Sequence, residues 1–131
     1  MNWRRRGNIG IARAILYYSN LDYTVSIPLT DSQPYDLVVD IGSKLQRIQV
    51  KTVHGRDKYG SYEVGLRVNG GNTRVYTSKD FDNSACDILF VAIVGGDDYA
   101  IPTIEIDAKT TLGLGPKWSR YKILHGTYSI P

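Results

Sequence analysis

From Asn8 to Asn20 the apolar residues recur at helical spacing: Ile11, Ala12, Ile15 and Leu16 form a stripe, with Ala14 and Tyr18 beside it. This spacing predicts an amphipathic helix with Asn8 as its N-cap, packed by its stripe on a sheet. The period then shortens to two. Tyr23, Val25 and Ile27 alternate with Thr24 and Ser26, predicting a strand from Asp22 to Leu29, and the run Thr30-Asp31-Ser32-Gln33-Pro34 breaks it as a loop.

Between Pro34 and Lys51 two runs rich in Val, Ile and Leu flank Gly42-Ser43, the pattern of a β-hairpin with a two-residue type II′ turn. Val38 with Leu37, Val39 and Ile41 leaves no polar face, which suits a strand covered on both sides at the centre of a mixed sheet. A second hairpin is expected downstream, with strands from Tyr62 to Val68 and Thr73 to Thr77 joined by the turn Asn69-Gly70-Gly71-Asn72. Ser78 is placed to cap a helical turn reaching Asp82. Ile88 to Val94 reads as a buried strand, returned by Gly95-Gly96-Asp97-Asp98 into Tyr99–Pro102, with a short helix from Thr103 to Ala108. Asp97 and Asp98 read as turn formers rather than metal ligands.

At 131 residues and a net charge of +3, residues 1–131 form one domain that permits nucleic-acid binding without requiring it. Residues 109–131 are expected to be an irregular tail packed on that domain. Its basic aromatic patch, Lys117, Trp118, Arg120, Tyr121 and Lys122, suits packing over the sheet ahead of an oligomer contact or a phosphate clamp. Arg4, Arg5 and Arg6 belong either to a frayed terminus or to a phosphate contact. The single cysteine, Cys86, excludes an internal disulfide, and no apolar run reaches the ~20 residues of a membrane span. A cytoplasmic, membrane-free protein is the simplest expectation.

Chemistry concentrates in the first hairpin. If Gly42 and Ser43 form the loop, Ile41 pairs with Lys44 and outward counting sets Asp36 opposite Gln49, with Lys51 on the same face. A turn one residue later sets Asp36 opposite Lys51, and the three groups still cluster. Without further context the same residues make an ordinary surface ion pair, worth at most ~1 kcal/mol.

The run PYDLVVD followed by QVK resembles the core of the PD-(D/E)XK nucleases, in the form whose second acid is Gln. It is most similar to the small group I intron-encoded homing endonucleases of cyanobacteria, over Gly7 to about Pro102. The resemblance implies a restriction-endonuclease-like α/β core, a central mixed β-sheet flanked by helices. It also implies site-specific, double-stranded DNA cleavage with Mg²⁺ (or Mn²⁺). Asp36, the Gln49 side chain and the Val50 carbonyl would be the metal ligands, and Lys51 would act on the attacking water and the phosphate. Asp36, Gln49 and Lys51 are thus the expected catalytic set. A homo-oligomer follows from cutting two strands, a tetramer favoured over a dimer.

Relatives place the loop before the Asp strand near DNA, which nominates Ser32 and Gln33. The ribbon suits the major groove, so Arg67, Asn69, Asn72, Arg74 and Lys79 are candidate DNA contacts, as are Arg56 and Lys58 in the polar loop after Lys51. His54 in that loop is expected to be a polar rim residue. One position departs from the resemblance: relatives commonly carry a helix glutamate where this chain has Ile11. Three explanations stand open: an inactivated or engineered variant, an acid supplied by Asp22, Asp31 or Asp40, or a DNA-binding descendant that does not cut. The alternative functions are therefore a non-catalytic DNA-binding module and a Holliday-junction or repair nuclease.

Overall fold

The computed structural model describes residues 2–70 and 77–124. Helix α1 runs Trp3–Asn20, longer than the apolar stripe alone predicts, because Asn2 rather than Asn8 caps it by accepting a hydrogen bond from the Arg5 amide at 3.0 Å. Arg4, Arg5 and Arg6 are thus helical instead of frayed. Ala14 and Tyr18 are buried, with Ile11 and Ile15 packed beside them.

Among the described residues ten strands follow: β1 Thr24–Ser26, β2 Leu37–Ile41, β3 Lys44–Val53, β4 Glu63–Gly65, β5 Val68–Gly70, β6 Thr77–Lys79, β7 Ile88–Ile93, β8 Asp98–Pro102, β9 Thr111–Gly113 and β10 Lys122–Ile123. Six of them form one mixed sheet in the order β1-β2-β3-β7-β8-β10. The β3–β7 pairing is parallel and the others are antiparallel. The expected α/β architecture with a central mixed sheet is what the chain adopts.

Helix α1 covers one face over Leu37, Val39, Ile48 and Phe90. The opposite face is covered by Val64, Leu66, Leu112, Leu114 and Trp118, packed on Leu89, Val91 and Ile93. Gly10 sets the closeness of the helix. A Cβ there would stand 2.3 Å from Thr52 Oγ1 and 3.0 Å from Val50 Cγ1, so the first turns of α1 lie directly against the second half of β3.

Several local expectations change. Gly42 and Ser43 both have positive φ, +57° and +69°, which makes the turn type I′ rather than II′. The downstream ribbon is shifted: β4 ends at Gly65 and pairs with β9, while β5 pairs with β6 in the register Asn69↔Ser78. Asn69 and Gly70 are therefore ladder residues, not the turn. Asn72 and Arg74, with the rest of the expected Thr73–Tyr76 strand, lie outside the described residues. Ser78 belongs to β6 rather than to a helical turn, and Asp82 accepts from the Ser84 amide and hydroxyl at 2.9 and 2.6 Å. The helix after β8 is a single 3-10 turn, Thr103–Glu105.

The segment expected to be irregular contributes β9, a 3-10 helix at Pro116–Tyr121 and β10 at the sheet edge. Periodicity fails to announce strands of two or three residues, because such strands exist only through their partners. Trp118 is buried in the core while Lys117 and Arg120 stay outside, and Glu105 accepts from Arg120 and from the Tyr121 hydroxyl.

Candidate active site at the open end of the first hairpin

The ladder of β2 and β3 pairs Ile41 with Lys44 and ends at Leu37↔Ile48. One step further the Asp36 amide donates to the Ile48 carbonyl at 2.8 Å. Pro34 has no N–H and cannot extend the ladder, so the chain leaves β3 here. The edge of β3 beyond Ile48 is thereby opened. Val50 has its N–H and C=O on the same edge as Ile48. Its N–H donates to Asp36 Oδ2 at 2.8 Å, and its carbonyl faces the edge that β2 has left.

Ile48 and Val50 join the helix-side cluster, so Gln49 and Lys51 point away from the helix. Asp36 and Leu37 both stand against Ile48, an irregularity that breaks the alternation and replaces the expected pairing of Asp36 with Gln49. The Asp36 carboxylate still meets the Val50 N–H and the charge of Lys51. In the parallel pairing Gln49 stands beside Leu89 and Lys51 beside Val91, both in the core on the far side.

The electrostatics are those of a partly enclosed site. Asp36 is open to solvent at its rim, yet surrounding protein raises its carboxyl above the usual range; the Val50 N–H and the Lys51 charge oppose this less strongly. Burial lowers Lys51 below an ordinary lysine, an effect that Asp36 and Cys86 partly offset. Both shifts work against charge. Gln49 is only 7% exposed, and its side-chain oxygen accepts a weak bond from Cys86 Sγ at 3.9 Å. Burial above all pushes the Cys86 thiol up to about 11, so it stays protonated and able to donate.

A cavity of about 390 Å³ opens beside Gln49, and Asp31, Ser32, Gln33 and Lys79 are among its walls. A notch of about 170 Å³ adjoins Asp36 and is also walled by Asp31 and Gln33. Ser32, Gln33 and Lys79 are thus brought to Gln49. Arg67 is exposed and stands 3.7 Å from Asp80, another residue of the same cavity. Arg56 and Lys58 lie elsewhere: the Arg56 guanidinium stacks 4.2 Å from the Tyr62 ring centroid and donates to the Gly60 carbonyl at 2.8 Å, and Lys58 sits over Tyr59. Of Asn69 the backbone pairing is described; it leads away from β3 in the small ribbon. His54 is exposed just past β3.

Two contacts that support the site have no local sequence signal. Arg47 donates through its backbone N–H to Asp87 Oδ2 at 2.7 Å, and its guanidinium reaches Asp87 and the carbonyls of Ser84 and Ala85. This ties the segment carrying Cys86 against Gln49, and the Arg47 charge holds Asp87 below the usual carboxylate range. On the other side Arg13 of α1 meets Asp98, which is fully buried, at 2.8 Å and donates to the Ile93 and Gly96 carbonyls. Asp98 also accepts from the Ile93 amide at 2.8 Å. Its place is a buried clamp, not a surface turn.

The donors near Asp36 are hard oxygens, which suit Mg²⁺ or Mn²⁺ better than a softer metal. Among the described residues no three His, Cys, Asp or Glu side chains form a closed cage. Ile11 brings no oxygen: it is half-buried in the helix-side cluster with Val50.

No helix among the described residues is long and apolar enough to cross a membrane. No curated protein matches the sequence significantly. Among solved structures, the bacterial homing endonuclease I-Ssp6803I superimposes with a TM-score of 0.79 at 23% identity, over 93% of this chain and 89% of that one. At that identity the likeness establishes the fold. A PD-(D/E)XK endonuclease family model matches residues 1–121, nearly the whole sequence and all of the hairpin just described, so the chain belongs to the PD-(D/E)XK endonuclease family.

Proposed function

We propose that this protein is a site-specific double-stranded DNA endonuclease of the homing type, hydrolysing phosphodiesters with a divalent cation, Mg²⁺ or Mn²⁺. The observation that carries this reading is the hydrogen bond from the Val50 N–H to Asp36 at the point where β2 leaves β3, with Gln49 and Lys51 on the same face. A cation bound there supplies Lewis-acid activation of the phosphate and of water. Asp36, which already accepts from the Val50 N–H, would hold the cation together with the Gln49 amide oxygen and the Val50 carbonyl. Lys51 orients the attacking water, takes up its proton when neutral, and offsets charge on the phosphate when protonated. Ser32, Gln33, Arg67 and Lys79 contact the duplex near the cut, and Asn69, Asn72, Arg74, Arg56 and Lys58 extend that contact. Two centres on one duplex call for a homo-oligomer, and a long target favours a tetramer over a dimer. The DNA substrate fits a protein working inside the cell.

One observation favours a second reading, a DNA-binding module that does not cut: Ile11 occupies the helix position with an apolar side chain. Incubating the protein with supercoiled plasmid, a linear duplex library and a four-way junction, each with Mg²⁺ or Mn²⁺, separates the readings. Cutting of duplex at one sequence supports the proposal. Binding without cutting in either metal selects the module, and cutting confined to the junction selects a resolvase-like activity.

Two substitutions sharpen the test. Ile11→Glu puts an acid at the helix position and is expected to raise the cleavage rate at limiting Mg²⁺ by about tenfold, the scale on which ligand charge tunes affinity. An unchanged rate removes position 11 from the metal's surroundings. Arg67→Ala is expected to weaken DNA binding and reduce the slope of log K against log salt by roughly one unit if Arg67 meets a phosphate. An unchanged slope takes the ribbon base out of the interface.

A further inference from the structure

We propose that Asp31 supplies the second negative charge for the divalent cation, a charge that Ile11 does not bring. This rests on the reading of Asp36, Gln49 and Lys51 as the cleavage centre.

Three acids elsewhere in the chain are candidates, and topology separates them. Asp40 shares β2 with Asp36 but lies four residues along it, roughly 13 Å away at ~3.3 Å per residue. It pairs with Thr24 and Leu45 instead of approaching the open end. Asp22 precedes β1, which runs antiparallel to β2 with Thr24 opposite Asp40. This places Asp22 near the Gly42 turn, roughly 20 Å from Asp36 along the strand. The same pairing carries the chain after Ser26 back towards Asp36. Ile27, Pro28 and Asp31 accordingly wall the notch at Asp36.

Asp31 is thus the candidate that reaches the site. It walls both the notch at Asp36 and the cavity at Gln49, a property it shares with Gln33. Gln49 is 7% exposed and borders that cavity, with a weak thiol bond to its amide oxygen, so a buried oxygen donor stands at the same wall. Two other acids border the cavity without reaching the Asp36 notch. Asp82 is engaged by the Ser84 amide and hydroxyl, and Asp80 faces Arg67. Lys79 is the basic residue on the same wall.

Asp31 sits in an exposed loop, so replacing it leaves the core intact. It acts on the cation directly or through one bound water, and either route makes affinity depend on its charge. The experiment is calorimetric titration of the DNA-free protein with Mn²⁺, comparing wild type, Asp31→Asn, Asp36→Asn and Asp80→Asn, with circular dichroism as the control for folding. Asp31→Asn is expected to weaken Mn²⁺ binding about tenfold or more, Asp36→Asn to abolish it, and Asp80→Asn to leave it unchanged. If Asp36→Asn weakens binding while Asp31→Asn matches wild type, the assignment of Asp31 is wrong and the Asp36 centre stands. If wild type binds no Mn²⁺ saturably, or Asp36→Asn changes nothing, the centre itself is rejected and Asp31 with it. An equal loss in Asp80→Asn reduces the effect to the general field of the cavity and likewise overturns a specific role for Asp31.

Discussion

Lys51→Ala is expected to lower the cleavage rate by about 10²–10⁴-fold, the range for a positioned acid–base or charge-stabilising group, while DNA affinity changes little. The difference follows from position. Lys51 lies on the sheet face beside Val91 and close to Asp36, inside the candidate site rather than on the ribbon proposed to contact DNA. Burial lowers its affinity for a proton, so the neutral amine becomes accessible at a lower pH than for an exposed lysine, whose pKa is about 10.4. The sign is definite: a rate carried by neutral Lys51 rises with pH and levels off below that ordinary value. Asp36, raised by burial, needs a higher pH than a free carboxylate to ionise, which steepens the acid limb of the same profile. Single-turnover cleavage across pH, beside gel-shift affinities, checks both parts. An undiminished rate in Lys51→Ala assigns the lysine another role, and equal losses in rate and affinity make it a binding residue.

The second large effect is on stability. Asp98→Ala is expected to cost about 3–5 kcal/mol, because it strands the Arg13 guanidinium and deprives the buried Ile93 amide of its acceptor. Against a typical total of 5–15 kcal/mol this is a large share, and a fall in Tm on the order of 10 °C should accompany it. Arg13→Leu leaves a fully buried carboxylate without its cation and should cost a similar amount. The double variant should lose less than the sum of the two, since each single change already breaks the same clamp. Urea denaturation of the three variants measures this. Additive losses would mean that Arg13 and Asp98 act separately, through Gly96 and Ile93. The clamp matters to the site because it seats α1 against the β7–β8 turn, and α1 in turn backs Val50 and Thr52 through Gly10.

The hairpin was legible before any coordinates. Gly42-Ser43 between two apolar runs admits few registers, and the one with Ile41 opposite Lys44 is the one formed. The turn type was not legible, because Ser in a left-handed conformation carries no compositional signature. The helix was underextended at its start, since Arg4 to Arg6 have no apolar stripe and the cap lay further upstream. The ribbon departs from its local pattern for a different reason: Asn69-Gly70 has turn chemistry, yet pairing with Thr77 and Ser78 overrides local preference. Among the proposed DNA contacts, proximity in space divides Ser32, Gln33 and Lys79, which border the cavity at Gln49, from Arg56 and Lys58, which turn to their own tyrosines.

By itself the sequence determined that Gln49 and Lys51 share a face, because side-chain direction in a strand is a matter of counting. Tertiary structure decided which groups surround that face. Arg47 meets Asp87 across 40 residues and Arg13 meets Ile93 across 80, separations at which no local pattern operates. It decided as well that Asp31, rather than Asp22 or Asp40, borders the notch at Asp36, because antiparallel pairing of β1 with β2 returns one loop to the open end and carries the other acids away.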